Sequence, residues 1–186
     1  MSMRVSDFVK TNSLEWQGVI ASMVTLSEDG DIDTEQVLSY LEEMKGKIEG
    51  VIIDGDLGHS LSFIKQVKSM GYRTRAVTRG DDPDALDDLI GACYIDSVLM
   101  YVGAEVTGDS MRTISIIFEY GLEHEFRTIL DSKVLTKDDV PEIAKRIRGA
   151  KRYTLVMPKK DAFKKKDALE AAEAAKRYVK NVGIRQ

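Results

Sequence analysis

Among the 186 residues there is one cysteine, three prolines and two histidines, and neither sign of charge dominates. The single thiol, Cys93, can close no disulfide within the chain. It also excludes an iron–sulfur or zinc centre built from several of the chain's own cysteines. Such sparing cysteine use suits a reducing, cytoplasmic setting. With 27 basic against 31 acidic residues the net charge is -4, so no cationic surplus exists to neutralise nucleic-acid phosphates. No apolar run approaches the ~18 residues that span a bilayer, and the Met1–Asp7 start lacks the apolar core of a secretory signal. Imidazole chemistry is confined to His59 and His124. What remains is ordinary for a globular protein, 43% hydrophobic and 31% charged, long enough for one domain over 1–186 with a full core.

What is present is a rhythm. Short β-branched runs fall at Gly18–Leu26, Gly50–Ile53, Tyr72–Thr78, Ile95–Val102, Glu125–Leu130 and Arg152–Met157. Helical patterns separate them, as with Val37, Leu38, Leu41, Met44 and Ile48, or Leu61, Ile64, Val67 and Met70. Strands alternating with helices of this length predict βαβ crossovers and a parallel sheet. Six units do not close an eight-stranded barrel and fit either a doubly wound sheet or an α/β partial (βα)6 TIM-like, three-quarter barrel; the lack of an obvious reversal point favours the partial barrel. Residues 1–17 read as a lead-in whose Trp16 plugs the bottom of the sheet. Cys93 is expected, packed, at the buried end of its helix or just beyond it. The tail 164–186 reads as an exposed, amphipathic C-terminal helix rich in Ala, Lys and Glu.

In parallel sheets the chemistry gathers where strands end. Asp54, Asp56 and His59 follow the second run, beside Gly55 and Gly58. Two carboxylates and an imidazole within six positions suit a divalent ion, although Asp-Gly is also a common turn. Arg79 and Asp81 end the third run, where an arginine beside a helix start can receive an anion or merely pair on the rim. Glu105, Asp109, Arg127 and Asp131 complete a ring of charge. Neither a Gly-x-Ser-x-Gly elbow nor a phosphate-binding Gly-x-x-x-x-Gly-Lys occurs. Lys159, Lys160, Lys164, Lys165 and Lys166 form the one basic concentration, interspersed with Asp161, Asp167 and Glu170 as on a solvated helix start.

Several stretches, spread over about 13–157, resemble the radical S-adenosylmethionine superfamily, in particular the activating proteins of anaerobic ribonucleotide reductase and pyruvate formate-lyase. Ser13-Leu14-Glu15-Trp16-Gln17-Gly18 is similar to that family's lead-in to its first strand. Gly50-Val51-Ile52-Ile53-Asp54-Gly55-Asp56-Leu57 resembles the strand ending in Gly-Gly-Glu-Pro, and Ile64–Tyr72 the helix and turn beyond it. Ala76-Val77-Thr78-Arg79-Gly80 lies where the family has Asp-Thr-Asn-Gly. Ile95–Met100, His124–Thr128 and Gly149–Tyr153 match later strands or their approaches. The departure lies after the first run: the family's Cys-x-x-x-Cys-x-x-Cys loop is missing, and Leu26 passes through Ser27-Glu28-Asp29-Gly30-Asp31 to a helix. The acid that meets the methionine amino group in the family is Asp56, one methylene shorter, and the ribose-side asparagine is Arg79.

The resemblance without its cysteines implies a degenerate relative with no 4Fe-4S cluster and no radical chemistry. It is expected to bind a small ligand, nucleotide or S-adenosylmethionine-like, or a protein partner. The carried-over ligand positions are Gly55, Asp56, Thr78, Arg79 and Arg127, with no resident metal. A second reading is a non-radical, metal-assisted enzyme using Asp54, Asp56 and His59. A third is an interaction module docking through the tail helix.

Overall fold

The computed structural model describes residues 3–186. They divide into two compact units: the chain through Thr78 with Asp82–Val98, and Arg79–Asp81 with Leu99–Gln186. No helix among the described residues is long and apolar enough to cross a membrane.

The first unit opens with a strand that the sequence reading did not anticipate, β1 (Arg4–Asn12), followed by β2 (Ala21–Ser27). The two pair antiparallel, with register shifts between Val5 and Asp7 and between Val9 and Asn12. β3 (Gly50–Gly55) and β4 (Arg73–Thr78) then add in parallel, β2 to β3 and β3 to β4. β3 is buried on both faces over Gly50–Ile53, which explains its unbroken apolar run. Helix α1 (Thr34–Glu43) starts at Asp33, whose carboxylate accepts the Glu35 N–H as expected, and buries Val37, Leu38 and Leu41. Helix α2 (Leu61–Ser69) buries Phe63, Ile64 and Val67, and α3 (Pro83–Gly91) places Pro83 in its first turn. Trp16 is fully buried, with Arg73 and Arg75 guanidinium carbons 4.8 and 5.7 Å from its ring centroid. Cys93 lies just beyond α3, as expected, but is not packed. It is exposed, at φ 60° in the turn after α3, because the buried end of that helix is taken by Leu89 and Ile90.

Strand β5 (Ser97–Tyr101) contributes its first two residues to the first unit and the rest to the second. The second unit continues with α4 (Gly108–Tyr120), β6 (Glu123–Ile129), α5 (Asp139–Arg146), β7 (Tyr153–Val156), α6 (Lys165–Ala175) and β8 (Val182–Arg185). β6, β7 and β8 pair in parallel. Thr107 and Ser110 form a reciprocal capping box that fixes the start of α4. Within the first unit the strands follow chain order, β1-β2-β3-β4, and within the second they run β6-β7-β8.

The α/β class and the parallel βα order stand as expected, with eight strands in place of six. The tail differs. Its helix covers only Lys165–Ala175, and β8 follows it. Ala168, Ala171, Ala172 and Ala175 form a buried stripe, and the helix packs on α5 and β8. Small side chains at that spacing let helices approach closely while contributing little to an apolar pattern.

Candidate functional site

In the first unit the carboxyl ends of β2 and β3 lie side by side, with Leu26 opposite Gly55. A Cβ on Gly55, which sits at φ +118°, would collide with the Leu26 carbonyl oxygen. Glycine is required there by the neighbouring backbone. Asp54 turns its carboxylate back onto the Gly55 N–H at 2.9 Å. Asp56 faces forward. One of its oxygens accepts the His59 N–H at 3.0 Å, and the other lies 2.8 Å from His59 Nδ1. The Ser60 hydroxyl donates to the Asp56 carbonyl rather than capping α2 through its side chain.

This hydrogen-bonded pairing holds the Asp56 carboxyl below the usual carboxylate range and raises His59 above the usual imidazole value. Both side chains are exposed, His59 by 72%. The structure therefore brings Asp56 and His59 together and leaves Asp54 out. Among the described residues no group of three or more His, Cys, Asp or Glu side chains could hold a metal ion. Thr78 closes β4, half-buried.

The segment after β2 is a tight turn. The Gly30 N–H reaches the Ser27 carbonyl at 3.4 Å, and two backbone bonds tie Val5 to Ile32, N to O at 2.9 Å and O to N at 3.0 Å. An Arg4 Nη2 donates to the Asp31 carbonyl at 2.8 Å. A Cβ on Gly30 would lie 2.5 Å from the Val5 carbonyl carbon and 2.8 Å from the Ser6 nitrogen. Strand β1 thus closes directly over this turn, which carries hydroxyl and carboxylate groups and no thiol.

In the second unit Arg127 is 3% exposed and forks onto Glu125, Nε to Oε1 at 2.8 Å and Nη2 to Oε2 at 3.2 Å. Two apart on β6, these residues share a face, a pairing that strand periodicity offers and that the reading of Arg127 as a ligand group overlooked. Arg79 is exposed and lies over the Tyr101 ring, 5.8 Å from its centroid. It borders a concavity of about 340 Å³, part of it open to solvent, at the end of β5. Arg146, also missed, donates to the Ala104 carbonyl at 2.9 Å and pins the loop that follows β5. A second concavity of about 550 Å³ lies between the loops after β6 and β7. Three of its donors are engaged: Ser132 bonds the Asp161 carbonyl, Thr136 bonds Asp139, and Lys137 pairs with Glu170. Of the lysine-rich stretch, Lys166 lies 3.8 Å from Glu170, in keeping with a solvated helix start.

Comparison with known proteins places this geometry in context. A protein of Methanocaldococcus jannaschii, provisionally named as a glycyl-radical enzyme activating enzyme, is 24% identical over 152 residues, or 67% of this chain. A radical S-adenosylmethionine methyltransferase from Kitasatospora setae, solved with tryptophan and a SAM analogue, superposes with TM-score 0.51 and 13% identity, over 68% of this chain and 30% of its own. This chain is radical-SAM-like. The N-terminal domain of a provisionally named aldolase from Bacteroides vulgatus shares the fold, with TM-score 0.54 and 15% identity over 83% of this chain and 57% of its own. No family model matches. The radical-SAM-like chain spans 63% of the length of its archaeal relative.

Proposed function

We propose that this radical-SAM-like chain works without an iron–sulfur cluster of its own and binds a small ligand, nucleotide or S-adenosylmethionine-like, at the carboxyl edge of its parallel strands. The observation that carries the reading is the turn after β2. A cubane cluster in this family is held by thiolates. Here the segment offers serine, glutamate and aspartate, and its backbone is bonded to Val5. The one thiol, Cys93, sits in the turn after α3. The residues present do not fit the cluster, so no electron-transfer step is assigned. Asp56 remains as an anionic anchor for an ammonium group, held ionised by His59. Arg127 is engaged with Glu125 and is not required by the reading.

The test is calorimetry with S-adenosylmethionine, S-adenosylhomocysteine and adenosine on protein purified and reconstituted anaerobically. Colourless, iron-free protein that binds one of these, with affinity reduced by Asp56→Ala, is the expected result. A broad visible absorbance lost on oxidation, or release of 5′-deoxyadenosine by this polypeptide alone, overturns the reading.

One observation favours a second reading, a non-radical enzyme. Asp56 accepts at His59 Nδ1, which fixes the proton there and leaves Nε2 as a base at an exposed edge. In that case Asp56→Asn abolishes turnover of the ligand, with or without an added divalent ion, while leaving its binding in place.

A further inference from the structure

The concavity at the end of β5 joins two kinds of surface. Its floor is the buried apolar set Met100, Ile114, Ile143 and Ile147. Its rim carries three charges, of which Arg79 and Glu105 have no side-chain hydrogen-bond or ion-pair partner among the described residues. The Tyr101 ring supports the Arg79 guanidinium from below through its face. Such stacking leaves the N–H edges open for a planar acceptor. The third charge on the rim, Arg146, is already spent on the Ala104 carbonyl, so it holds the wall and offers less to a ligand. Ser110 likewise is committed to the capping box of α4.

We infer that this concavity binds a compact aliphatic α-amino acid. The carboxylate forks onto Arg79, a geometry that guanidinium donors match in pairs. The ammonium group meets Glu105, and the aliphatic side chain lies on the Met100–Ile114–Ile143 floor, where burial of a few methylene groups supplies the non-directional part of the affinity. A simple anion would leave Glu105 as a repulsive neighbour, and a simple cation would leave Arg79 so. A zwitterion with an apolar tail satisfies both charges and the floor. The inference rests on the reading that a small ligand occupies the carboxyl edge, and it names the chemistry of that ligand beside β5.

The experiment is heteronuclear NMR titration of the full chain with leucine, leucinamide and 4-methylpentanoate, on the wild type and on Arg79→Ala and Glu105→Gln. Both side chains are exposed, and circular dichroism confirms that each variant is folded. Leucine is expected to shift amides of residues 100–106, 110–114 and 143–147. Arg79→Ala should weaken it at least tenfold. Leucinamide should bind the wild type at least tenfold more weakly than leucine does. Glu105→Gln should weaken leucine while leaving 4-methylpentanoate equal or tighter. Absence of leucine-induced shifts there, equal leucine affinity in Arg79→Ala, or a preference for 4-methylpentanoate over leucine in the wild type would each overturn the inference. Adenosine or S-adenosylmethionine binding sensitive to Asp56→Ala, with no leucine response, would sink this site and leave the broader reading standing. Leucine binding without any nucleoside binding would support this site and remove the nucleotide-like part of the broader reading.

Discussion

Gly30→Ala tests how tightly β1 is locked over the turn that follows β2. The added methyl would meet the Val5 carbonyl carbon at 2.5 Å, its oxygen at 2.6 Å and the Ser6 nitrogen at 2.8 Å. All three are backbone atoms, so no rotamer change relieves the clash and β1 must lift. Lifting it breaks the paired Val5–Ile32 bonds, at roughly 0.5–1.5 kcal/mol each. It also uncovers Val5, now fully buried, at about 1.5 kcal/mol. The sum is about 3 kcal/mol, or roughly 6–12 °C in the melting of a protein this size. Urea denaturation followed by circular dichroism measures the loss, and hydrogen exchange locates it: Val5 and Ile32 amides should lose protection before those of β3. Gly108→Ala is the control, because its Cβ would meet open space at the first turn of α4. A Gly30→Ala loss below about 0.5 kcal/mol, the size of an ordinary surface change, would mean that β1 does not close the turn and would remove the physical support for the cluster-free reading.

Three further outcomes are expected. His124 Nε2 accepts the Lys151 N–H at 3.0 Å and Nδ1 lies 2.9 Å from the Leu122 carbonyl, so the ring is neutral with its proton on Nδ1. Burial lowers its pKa. The unfolded chain therefore takes up the proton first, and the His124 contribution to stability falls as pH drops below about 6.5 toward the folded value; a loss between pH 7 and 5 no smaller in His124→Gln than in the wild type would contradict this. Asp96 would be raised by burial, yet Lys68 at 2.5 Å and the Thr74 N–H at 2.8 Å carry it below the usual value. Its stabilisation is present above the unfolded pKa and lost as pH falls through the lower folded one, so Asp96→Asn should cost about 1–2 kcal/mol at pH 7 and flatten the acid limb of the stability curve. Trp16→Ala should cost about 3–5 kcal/mol in urea denaturation, since the ring is fully buried beneath two arginines. A value near 1 kcal/mol would show that Arg73 and Arg75 collapse into the space.

The central strands were legible because they are buried on both faces, so β-branched runs such as Val51–Ile53 and Val98–Met100 stand out without alternation. The ends of the sheet were not. In β1 only Val5 is fully buried, and two register shifts break the alternation that would mark a strand in RVSDFVKTN. β8 has four residues, with its one glycine among them, too short for any period to register. The helix before it was misjudged because its inward stripe is alanine, which reads as indifferent although the burial is complete at Ala168 and Ala175. The caps themselves follow local rules: Asp33, Asp82 and Thr107 each accept the N–H that a capping side chain should.

The site divided along the same physical line. Residues whose partners lie within a few positions, Asp56 with His59 for example, were brought together as their spacing allows. A charge whose partner sits two residues along the same strand looks available in sequence, because i and i+2 neighbours share a face while looking separated. Arg127 is the instructive case. Its guanidinium is buried at 3% exposure, where an unpaired charge would be costly, and Glu125 answers it at 2.8 Å. A strand-end arginine is a ligand candidate only where the same face offers no carboxylate two residues away. Arg79 passes on its strand side, where Val77 occupies the corresponding position on β4, and on the other side Gly80, at φ 85°, ends the strand geometry before Asp81. Its open N–H edges over Tyr101, together with the unpaired Glu105, are therefore where ligand chemistry in the second unit should be sought first.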